Sequence, residues 1–443
     1  MVRSKVVQGT FVLVIAGLTV RLLGFVYRVA LTRVIGSEGM GLFQMVFPVF
    51  ILAITAATMG VPVALSKEVA SSHAQNDWRA IDSARKVSLL IAFGGAIAVS
   101  LLLLAGADWI STAVLSDARI RLSIMLLPGA VVFSALASTF RGYFQGLQEM
   151  VPTGASQVVE QVVRVTVMLV VVGKAMPYGL EWAVAAAIAA VGLGELAGLL
   201  TLWAYRVGER FATRPWGRSQ STAALPRVAL DLLGLSVPVA LTRFAGSFGH
   251  LLDASLIPTR LQVAGSSIAE ATALFGQLSG MALPVLYLPT VLIFPLATAI
   301  LPAVSESYSR HNYGLLQTRV KQALGFTLAV GIITVVALRA GSGLIATLLY
   351  DLPEVGPLIE HVAYAAPFAY LFYISASILN GLGRTSEVFY ISMASTALRI
   401  ALLFVLVTPG LGITGAILAY TSGLGLAAAL NLARVFLHIR KGS

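Results

Sequence analysis

The sequence predicts an all-α, polytopic membrane protein with about twelve transmembrane helices. Of its 443 residues, 58% are hydrophobic and only 11% are charged, whereas a soluble chain carries roughly a quarter charged residues. The mean hydropathy is +0.89. Apolar runs of about twenty residues or longer recur along the chain, and each is long enough to cross ~30 Å of hydrocarbon as a helix.

These apolar runs fall into two sets of six. The first set of predicted spans is 9–35, 39–66, 87–110, 122–147, 152–173 and 182–205, and the second is 229–255, 270–303, 318–338, 357–381, 387–408 and 412–437. The longest polar segment of the chain lies between the two sets. We therefore predict an N-terminal six-helix lobe over residues 1–206, a cytoplasmic linker over 207–227 and a C-terminal six-helix lobe over 228–443.

The positive charges support this count of spans. With the N-terminus inside, 18 of the 30 Lys and Arg residues fall on the inward side, six on the outward side and six inside the spans. Because cytoplasmic loops are enriched in basic residues, this bias predicts a cytoplasmic-membrane protein with both termini in the cytoplasm. Basic loops that face anionic lipids account for most of the net charge of +11, so no nucleic-acid partner is expected.

Catalytic and metal-binding signals are missing from the sequence. The chain has no cysteine, which excludes disulfides and thiolate chemistry. Its five histidines are scattered without metal-ligand spacing, and it has no phosphate-cradling glycine loop. We therefore expect no enzymatic activity, metal or cofactor. Without an ATPase module, an ion gradient or the membrane potential has to supply any energy.

Six arginines lie inside the predicted spans. A cation at the bilayer centre costs ~3 kcal/mol, so such residues normally face the bundle interior or a wet cavity. Residues seven apart share one face of a helix, which puts Arg21 and Arg28 together. The full set is Arg21, Arg28, Arg141, Arg164, Arg243 and Arg399.

The span 152–173 carries one polar stripe on an otherwise apolar helix, which predicts that the stripe turns inward. Its residues recur at i, i+3, i+4 and i+7: Gln157, Glu160, Gln161 and Arg164. A second stripe follows 235 residues later, as Ser392, Ser395, Thr396 and Arg399. Arg21 and Arg28 similarly match Arg243 and His250, 222 residues later. Two equivalent halves around a central site are the usual plan of an alternating-access transporter.

The charges inside the spans predict an anionic ligand. Six arginines stand against three acids there, namely Glu160, Glu195 and Asp253, and guanidinium groups suit phosphate and carboxylate. We predict that a phosphate or pyrophosphate contacts Arg21, Arg28, Arg243, Arg399, Arg164, Gln157 and Gln161, and that Glu160 and Asp253 couple transport to an ion. The structural alternative, favoured for Arg141 and Arg164, is that the arginines pair with acids or backbone carbonyls and hold helices together.

Three stretches resemble stage V sporulation protein B and its relatives, in the polysaccharide-transport branch of the superfamily that also holds the MurJ-like lipid II flippases. They are R-L-L-G-F-V-Y-R at 21–28, F-R-G-Y-F-Q-G-L-Q-E-M-V-P-T at 140–153 and Q-V-V-E-Q-V-V-R at 157–164. The resemblance implies two six-helix lobes that form a V. It implies flipping or export of undecaprenyl-pyrophosphate-linked saccharides for peptidoglycan or spore cortex, with Arg21 contacting the anionic substrate. Arg28 stands one step from the spacing of the MurJ-like flippases.

The resemblance leaves alternatives open. Relatives of this kind have fourteen helices and twelve are predicted here, so the route of a lipid tail and the exact substrate stay open. A cation-coupled multidrug antiporter would need acids in its cavity, for which only Glu160 and Asp253 offer themselves. A non-transporting scaffold for cell-wall or spore assembly is the third possibility. We expect a monomer whose partners are membrane lipids and a lipid-linked oligosaccharide.

Overall fold

The computed structural model describes residues 2–211 and 225–442. The side chains of residues 2–11, 209–211, 225–231 and 441–442, and of several more up to residue 245 including Arg243, lie outside the described part. By their internal contacts the residues group into two compact units, Met1–Ser255 and Leu256–Ser443. The predicted linker 207–227 falls mainly outside the described residues, so the predicted lobe boundaries stay a prediction.

The described residues of the first unit form helices joined by short turns. Its helices are α1 (Val2–Thr58), α2 (Val61–Ala74), α3 (Trp78–Ala105), α4 (Arg121–Gly146), α5 (Met150–Ala175), α6 (Leu180–Phe211) and most of α7 (Leu225–Val263). A π-helical turn (Ile110–Val114) and a 3-10 turn (Ala118–Ile120) connect α3 to α4.

The described residues of the second unit also form helices joined by short turns. Its helices are α8 (Ile268–Gly276), α9 (Leu283–Tyr287), α10 (Thr290–Ser309), α11 (Tyr313–Ile345), α12 (Gly356–Ala363), α13 (Ala366–Gly381), α14 (Thr385–Leu406) and α15 (Gly412–Gly442). A π-helical turn (Gln277–Ala282) joins α8 to α9, while a second one (Ala346–Tyr350) and a 3-10 turn (Pro353–Val355) connect α11 to α12.

The described helices confirm the predicted all-α polytopic membrane fold. Nine of them are long and apolar enough to cross a membrane, or ten if the pair Pro353–Ala363 and Ala366–Gly381, bent by 50°, counts as one span. The apolar part of α1 has 47 residues and would be about 70 Å long, more than twice the hydrocarbon thickness. The left-handed φ of 68° at Gly36 divides it between the predicted spans 9–35 and 39–66.

Two of the predicted spans, 39–66 and 270–303, are interrupted by breaks in the helix. Within 39–66, the helix ends at Thr58 and restarts after Gly60, whose φ of 75° is a conformation that glycine adopts at low cost. Within 270–303, α9 ends at Tyr287 and α10 restarts after Pro289, which has no N–H to donate. Both breaks lie inside apolar runs and therefore leave no mark on the hydropathy pattern.

The backbone repeats at the offset seen in the two polar stripes. Helices α3 and α11 begin 235 residues apart (313 minus 78), as do α5 and α14 (385 minus 150). Residues with positive φ recur at the same offset, Asn76 with His311, Ser116 with Asp351 and Gln148 with Gly383. The structure thus confirms an internal repeat over this part of the two halves.

Each unit has its own core, and a glycine at an equivalent position in each unit allows two helices to pack closely there. A Cβ on Gly146 would lie 2.7 Å from the carbonyl oxygen of Ser66, and one on Gly381 would lie 2.7 Å from that of Leu301. Small residues of this kind let membrane helices meet backbone to backbone. The surrounding buried side chains include Leu65, Val69, Ile81, Tyr143 and Phe144 in the first unit and Val304, Leu316, Val320, Ile378 and Leu379 in the second.

Candidate functional site

Helix α1 packs along the polar stripe of α5 in the first unit. A Cβ on Gly154 would lie 3.1 Å from the Cβ of Ala16, and one on Gly24 would lie 3.7 Å from Nε2 of Gln161. The residue numbers of both helices increase from the first contact to the second, so α1 and α5 run parallel. The predicted cationic face of α1 therefore lies beside the predicted polar stripe.

The two arginines of α1 differ in exposure. Arg21 is exposed and Arg28 is half-buried. The intervening Tyr27 is only 5% exposed and lies within electrostatic range of both Arg28 and Arg164. Since lipid would penalise Arg21 and Arg28 by ~3 kcal/mol each, such cations face water or protein. Their predicted role in substrate binding stays a prediction.

Four charged side chains meet inside the first unit, where three helices come together. Arg141 on α4 and Arg164 on α5 each place Nη2 against Glu160, at 2.6 Å and 2.7 Å. Arg164 Nη2 also lies 3.2 Å from Glu195 Oε1 on α6, and its Nη1 donates to Gln161 Oε1 at 3.4 Å. The four charged side chains are 7–16% exposed. We call this set, Arg141, Glu160, Arg164 and Glu195, the ion cluster.

Two glycines of α6 let the ion cluster form. A Cβ on Gly194 would lie 2.8 Å from the carbonyl oxygen of Glu160 and 3.0 Å from the Cβ of Arg164. A Cβ on Gly198 would lie 3.3 Å from Arg141 Nη2. Larger side chains at these positions would push α6 away from α5, so the glycines set the distance across which Arg164 reaches Glu195.

The ion cluster contains two basic and two acidic side chains, whose formal charges cancel. This arrangement fits the structural alternative for Arg141 and Arg164, in which buried arginines pair with acids and hold helices together. Binding by Arg164, Gln157 and Gln161, and ion coupling by Glu160, stay predictions. From the sequence, Glu195 was counted among the acids inside the spans but was given no role. The one sequence signal that it has an ionic partner is that it is a lone acid in an apolar run.

The equivalent crossing of the second unit, between α14 and α15, carries no acid in the place of Glu160. Ser395 stands there and donates its hydroxyl to the carbonyl of Gly423 at 2.7 Å. The guanidinium carbon of Arg399 lies 5.6 Å from the ring centroid of Tyr420, whose hydroxyl is 2.5 Å from that of Tyr287. We call Arg399, Tyr420 and Tyr287 the tyrosine–arginine cluster. The two tyrosines contribute a ring and two hydroxyl groups to this cluster, whereas Glu160 and Glu195 contribute carboxylates to the ion cluster.

The remaining predicted residues lie on α7. The side chain of Arg243 lies outside the described residues, whereas His250 is exposed and Asp253 is half-buried. Roles for Arg243 in binding and for Asp253 in ion coupling stay predictions. Tyr287 and Tyr420 were missed, because tyrosines in apolar spans are common and these two meet only in the tertiary structure. Among the described residues, no group of three or more His, Asp and Glu residues is placed to hold a metal ion.

Comparison with known proteins assigns the chain to a family. The model of the family described as polysaccharide biosynthesis protein matches residues 6–308, and the MatE model matches residues 278–405. Stage V sporulation protein B of Bacillus subtilis (strain 168) is 33% identical over 439 residues, which cover 98% of this chain and 84% of that protein. Lipid II flippase MurJ of the same organism is 28% identical over 407 residues, which cover 86% of this chain and 73% of that protein.

A solved structure shares the fold. It is the inward-facing conformation of a multidrug resistance MATE family transporter of the MOP superfamily, which matches with a TM-score of 0.79 at 15% identity over 95% of each chain. The resemblance read from residues 21–28, 140–153 and 157–164 is confirmed. The chain is a multi-pass membrane protein and belongs to the polysaccharide biosynthesis protein family.

Proposed function

We propose that the protein is a flippase or exporter that moves an anionic, lipid-linked saccharide across the cytoplasmic membrane by alternating access. The proposed substrate is an undecaprenyl-pyrophosphate-linked saccharide, such as a precursor of peptidoglycan or spore cortex. One similar protein is named a lipid II flippase and another a sporulation protein. The arginines within apolar helices suit a pyrophosphate, because a guanidinium group pairs with phosphate oxygens in a bidentate manner.

The observation that carries this proposal is the placement of the α1 cations beside the polar stripe of α5. A Cβ on Gly24, which lies between Arg21 and Arg28 on α1, would lie 3.7 Å from Nε2 of Gln161. In the second unit, the equivalent stripe carries Arg399 against the ring of Tyr420. Guanidinium groups within apolar helices attract an anionic ligand strongly, because the dielectric constant is low there.

The proposed roles follow the chemistry of each side chain. Arg21, Arg28, Arg243 and Arg399 contact the phosphates, and Gln157, Gln161 and Arg164 contribute polar contacts on α5. Glu160 and Asp253 couple the cycle to an ion, and the membrane potential supplies about 2.3 kcal/mol per charge per 100 mV. The protein works as a transporter and not as an enzyme, with both termini in the cytoplasm.

The absence of cysteine from the sequence allows a direct test by site-specific labelling. Single variants Arg21→Cys, Arg28→Cys, Arg243→Cys and Arg399→Cys are labelled in proteoliposomes with a charged thiol reagent, with and without an undecaprenyl-pyrophosphate-linked oligosaccharide. We expect labelling from water at each position and slower labelling with substrate. Leu101→Cys is the control, because Leu101 is an apolar residue of α3 with 61% exposure, and lipid should shield it from the reagent. No water access at any arginine position, or no protection by substrate, would contradict the proposal.

A second candidate is a cation-coupled multidrug antiporter, which the match of the MatE model to residues 278–405 favours. The two functions separate in one preparation of proteoliposomes. Flipping of fluorescent lipid II without efflux of an organic cation supports the flippase. Efflux of the cation without lipid flipping would replace the proposal by the antiporter.

A further inference from the structure

A cavity of about 250 Å³ lies between α11 and α15 in the second unit. One helical turn from each helix lines it, namely Gln317, Val320 and Lys321 from α11 and Phe436, Ile439 and Arg440 from α15. Both sets have the spacing i, i+3, i+4 that places residues on one face of a helix. Val320 and Ile439 are buried and form the floor, while Lys321 and Arg440 are exposed and form the rim.

The cavity combines polar and apolar side chains at two depths. It lies where α11 begins and α15 ends, so the two helices run antiparallel at one end of the unit. Gln317 and Arg440 lie toward that end, and Lys321 and Phe436 lie one turn deeper. Phe436 is 44% exposed. A ligand therefore meets one cation near the end of the helices, and a second cation beside an aromatic ring one turn deeper.

The charge of this cavity is positive. Its lining contains two cations and no acid. Two acids of the helices that end here already have cationic partners: Glu306 lies 3.3 Å from Arg310 and 3.6 Å from Arg319. Glu387 lies 2.9 Å from His438 and 3.7 Å from Arg434. The basic loops predict that this end faces the cytoplasm, where the leaflet surface is anionic.

We propose that this cavity binds the headgroup of an anionic phospholipid. Its volume equals about eight water molecules at ~30 Å³ each, which suits a phosphodiester with its glycerol and is smaller than the usual pocket of a drug-sized ligand. The acyl chains then run outside the cavity along Phe436. A free phosphate would use the two cations but leave the apolar side unfilled. The site is separate from the proposed transport path and does not rest on the proposed function.

Native mass spectrometry of the purified full chain tests this site. Protein exchanged into mixed phosphatidylglycerol and phosphatidylcholine micelles should retain phosphatidylglycerol in preference. Each cation near a membrane surface contributes about a fivefold preference for anionic lipid, so the variant Lys321→Gln/Arg440→Gln should lose about thirtyfold. The control Arg310→Gln/Arg384→Gln removes the same charge at the same end outside the cavity, and should leave retention unchanged.

A second variant keeps both cations and fills the cavity. Gln317→Trp should lower retention of phosphatidylglycerol because the headgroup no longer fits. If the double variant fails to fold, the retention measured with Gln317→Trp tests the proposal alone. Equal losses in the cavity and control variants, or unchanged retention in Gln317→Trp, would overturn the proposal. Displacement of phosphatidylglycerol by millimolar inorganic phosphate would also overturn it, because the site would then be one for a free anion.

Discussion

The α5–α6 crossing and the α14–α15 crossing follow one backbone plan and differ in the side chain one turn before the arginine. In the first, a Cβ on Gly194 would lie 3.0 Å from the Cβ of Arg164, and in the second a Cβ on Gly423 would lie 3.1 Å from that of Arg399. The residue one turn earlier is Glu160 in the first crossing and Ser395 in the second. The same arginine position therefore faces Glu160 and Glu195 in one unit and the ring of Tyr420 in the other.

This difference teaches that position in a repeat does not by itself settle the role of an arginine. Removing one partner of a buried ion pair costs about 3–5 kcal/mol, because it leaves an uncompensated charge. A cation–π contact such as that of Arg399 with Tyr420 contributes about 0.5–2 kcal/mol. Equivalent substitutions in the two crossings should consequently have unequal effects on stability.

The largest expected effect is that of Arg164→Ala on stability. The variant leaves the carboxylates of Glu160 and Glu195 with fewer partners, and the free energy of unfolding should fall by about 3–5 kcal/mol. The matched variant Arg399→Ala removes the contact with the ring of Tyr420, which contributes about 0.5–2 kcal/mol, and should abolish lipid flipping, while Arg399→Lys keeps part of the flipping. Denaturant unfolding in detergent and a flipping assay measure both. Equal stability losses would remove the distinction between the crossings.

The second test gives the α14–α15 crossing the acid of its counterpart. Ser395→Glu places a carboxylate one turn before Arg399, where an i, i+4 ion pair forms. Flipping of labelled lipid II should fall at least about tenfold, or ~1.4 kcal/mol, because the added carboxylate competes with the anionic substrate for Arg399. Ser395→Gln has the same size without the charge and should flip faster than Ser395→Glu. Similar rates for the two variants would show that size, and not charge, matters here.

The third test concerns the glycines that set the two helix distances, and its smallest effects are those of Gly423→Ala and Gly173→Ala. Gly194→Ala should destabilise by about 1–3 kcal/mol through overpacking, because its Cβ would lie 2.8 Å from a backbone oxygen. Gly423→Ala should cost less, since its closest contact would be 3.1 Å. Gly173→Ala on α5 is the control, as nothing lies within 4 Å of its Cβ position, and it should gain about 0.5–1 kcal/mol from helix propensity. Thermal unfolding of the three variants would show whether this order holds.

Much of the fold was predictable from local pattern. The gap between spans 9–35 and 39–66 falls at Gly36, and the 235-residue offset of the polar stripes recurs in the starts of α3 and α11. The break at Gly60 was not predicted from hydropathy, because the hydropathy of a window averages over a single residue, whereas a proline such as Pro289 by itself predicts a bend. A glycine with positive φ or a proline interrupts hydrogen bonding without making the run less apolar.

For the candidate site, the sequence could predict only which residues share one face of a helix. The spacing of Gln157, Glu160, Gln161 and Arg164 predicted that they share a stripe, and the structure buries Gln161 and nearly buries the two charged residues. It could not predict which other helices the stripe would meet. The pairing of Glu160 with Arg141, 19 residues away, depends on how closely α4 approaches α5.

The sequence by itself determined that this protein is a polytopic helical membrane protein with a repeated, arginine-bearing stripe, because composition and periodicity act within each helix. Only the tertiary structure decided that Arg164 meets Glu195, 31 residues away, and that Tyr287 meets Tyr420, 133 residues away. Such partners depend on the distance and rotation between helices. Those are set by glycine contacts such as those of Gly194 and Gly423, which periodicity along one helix does not specify.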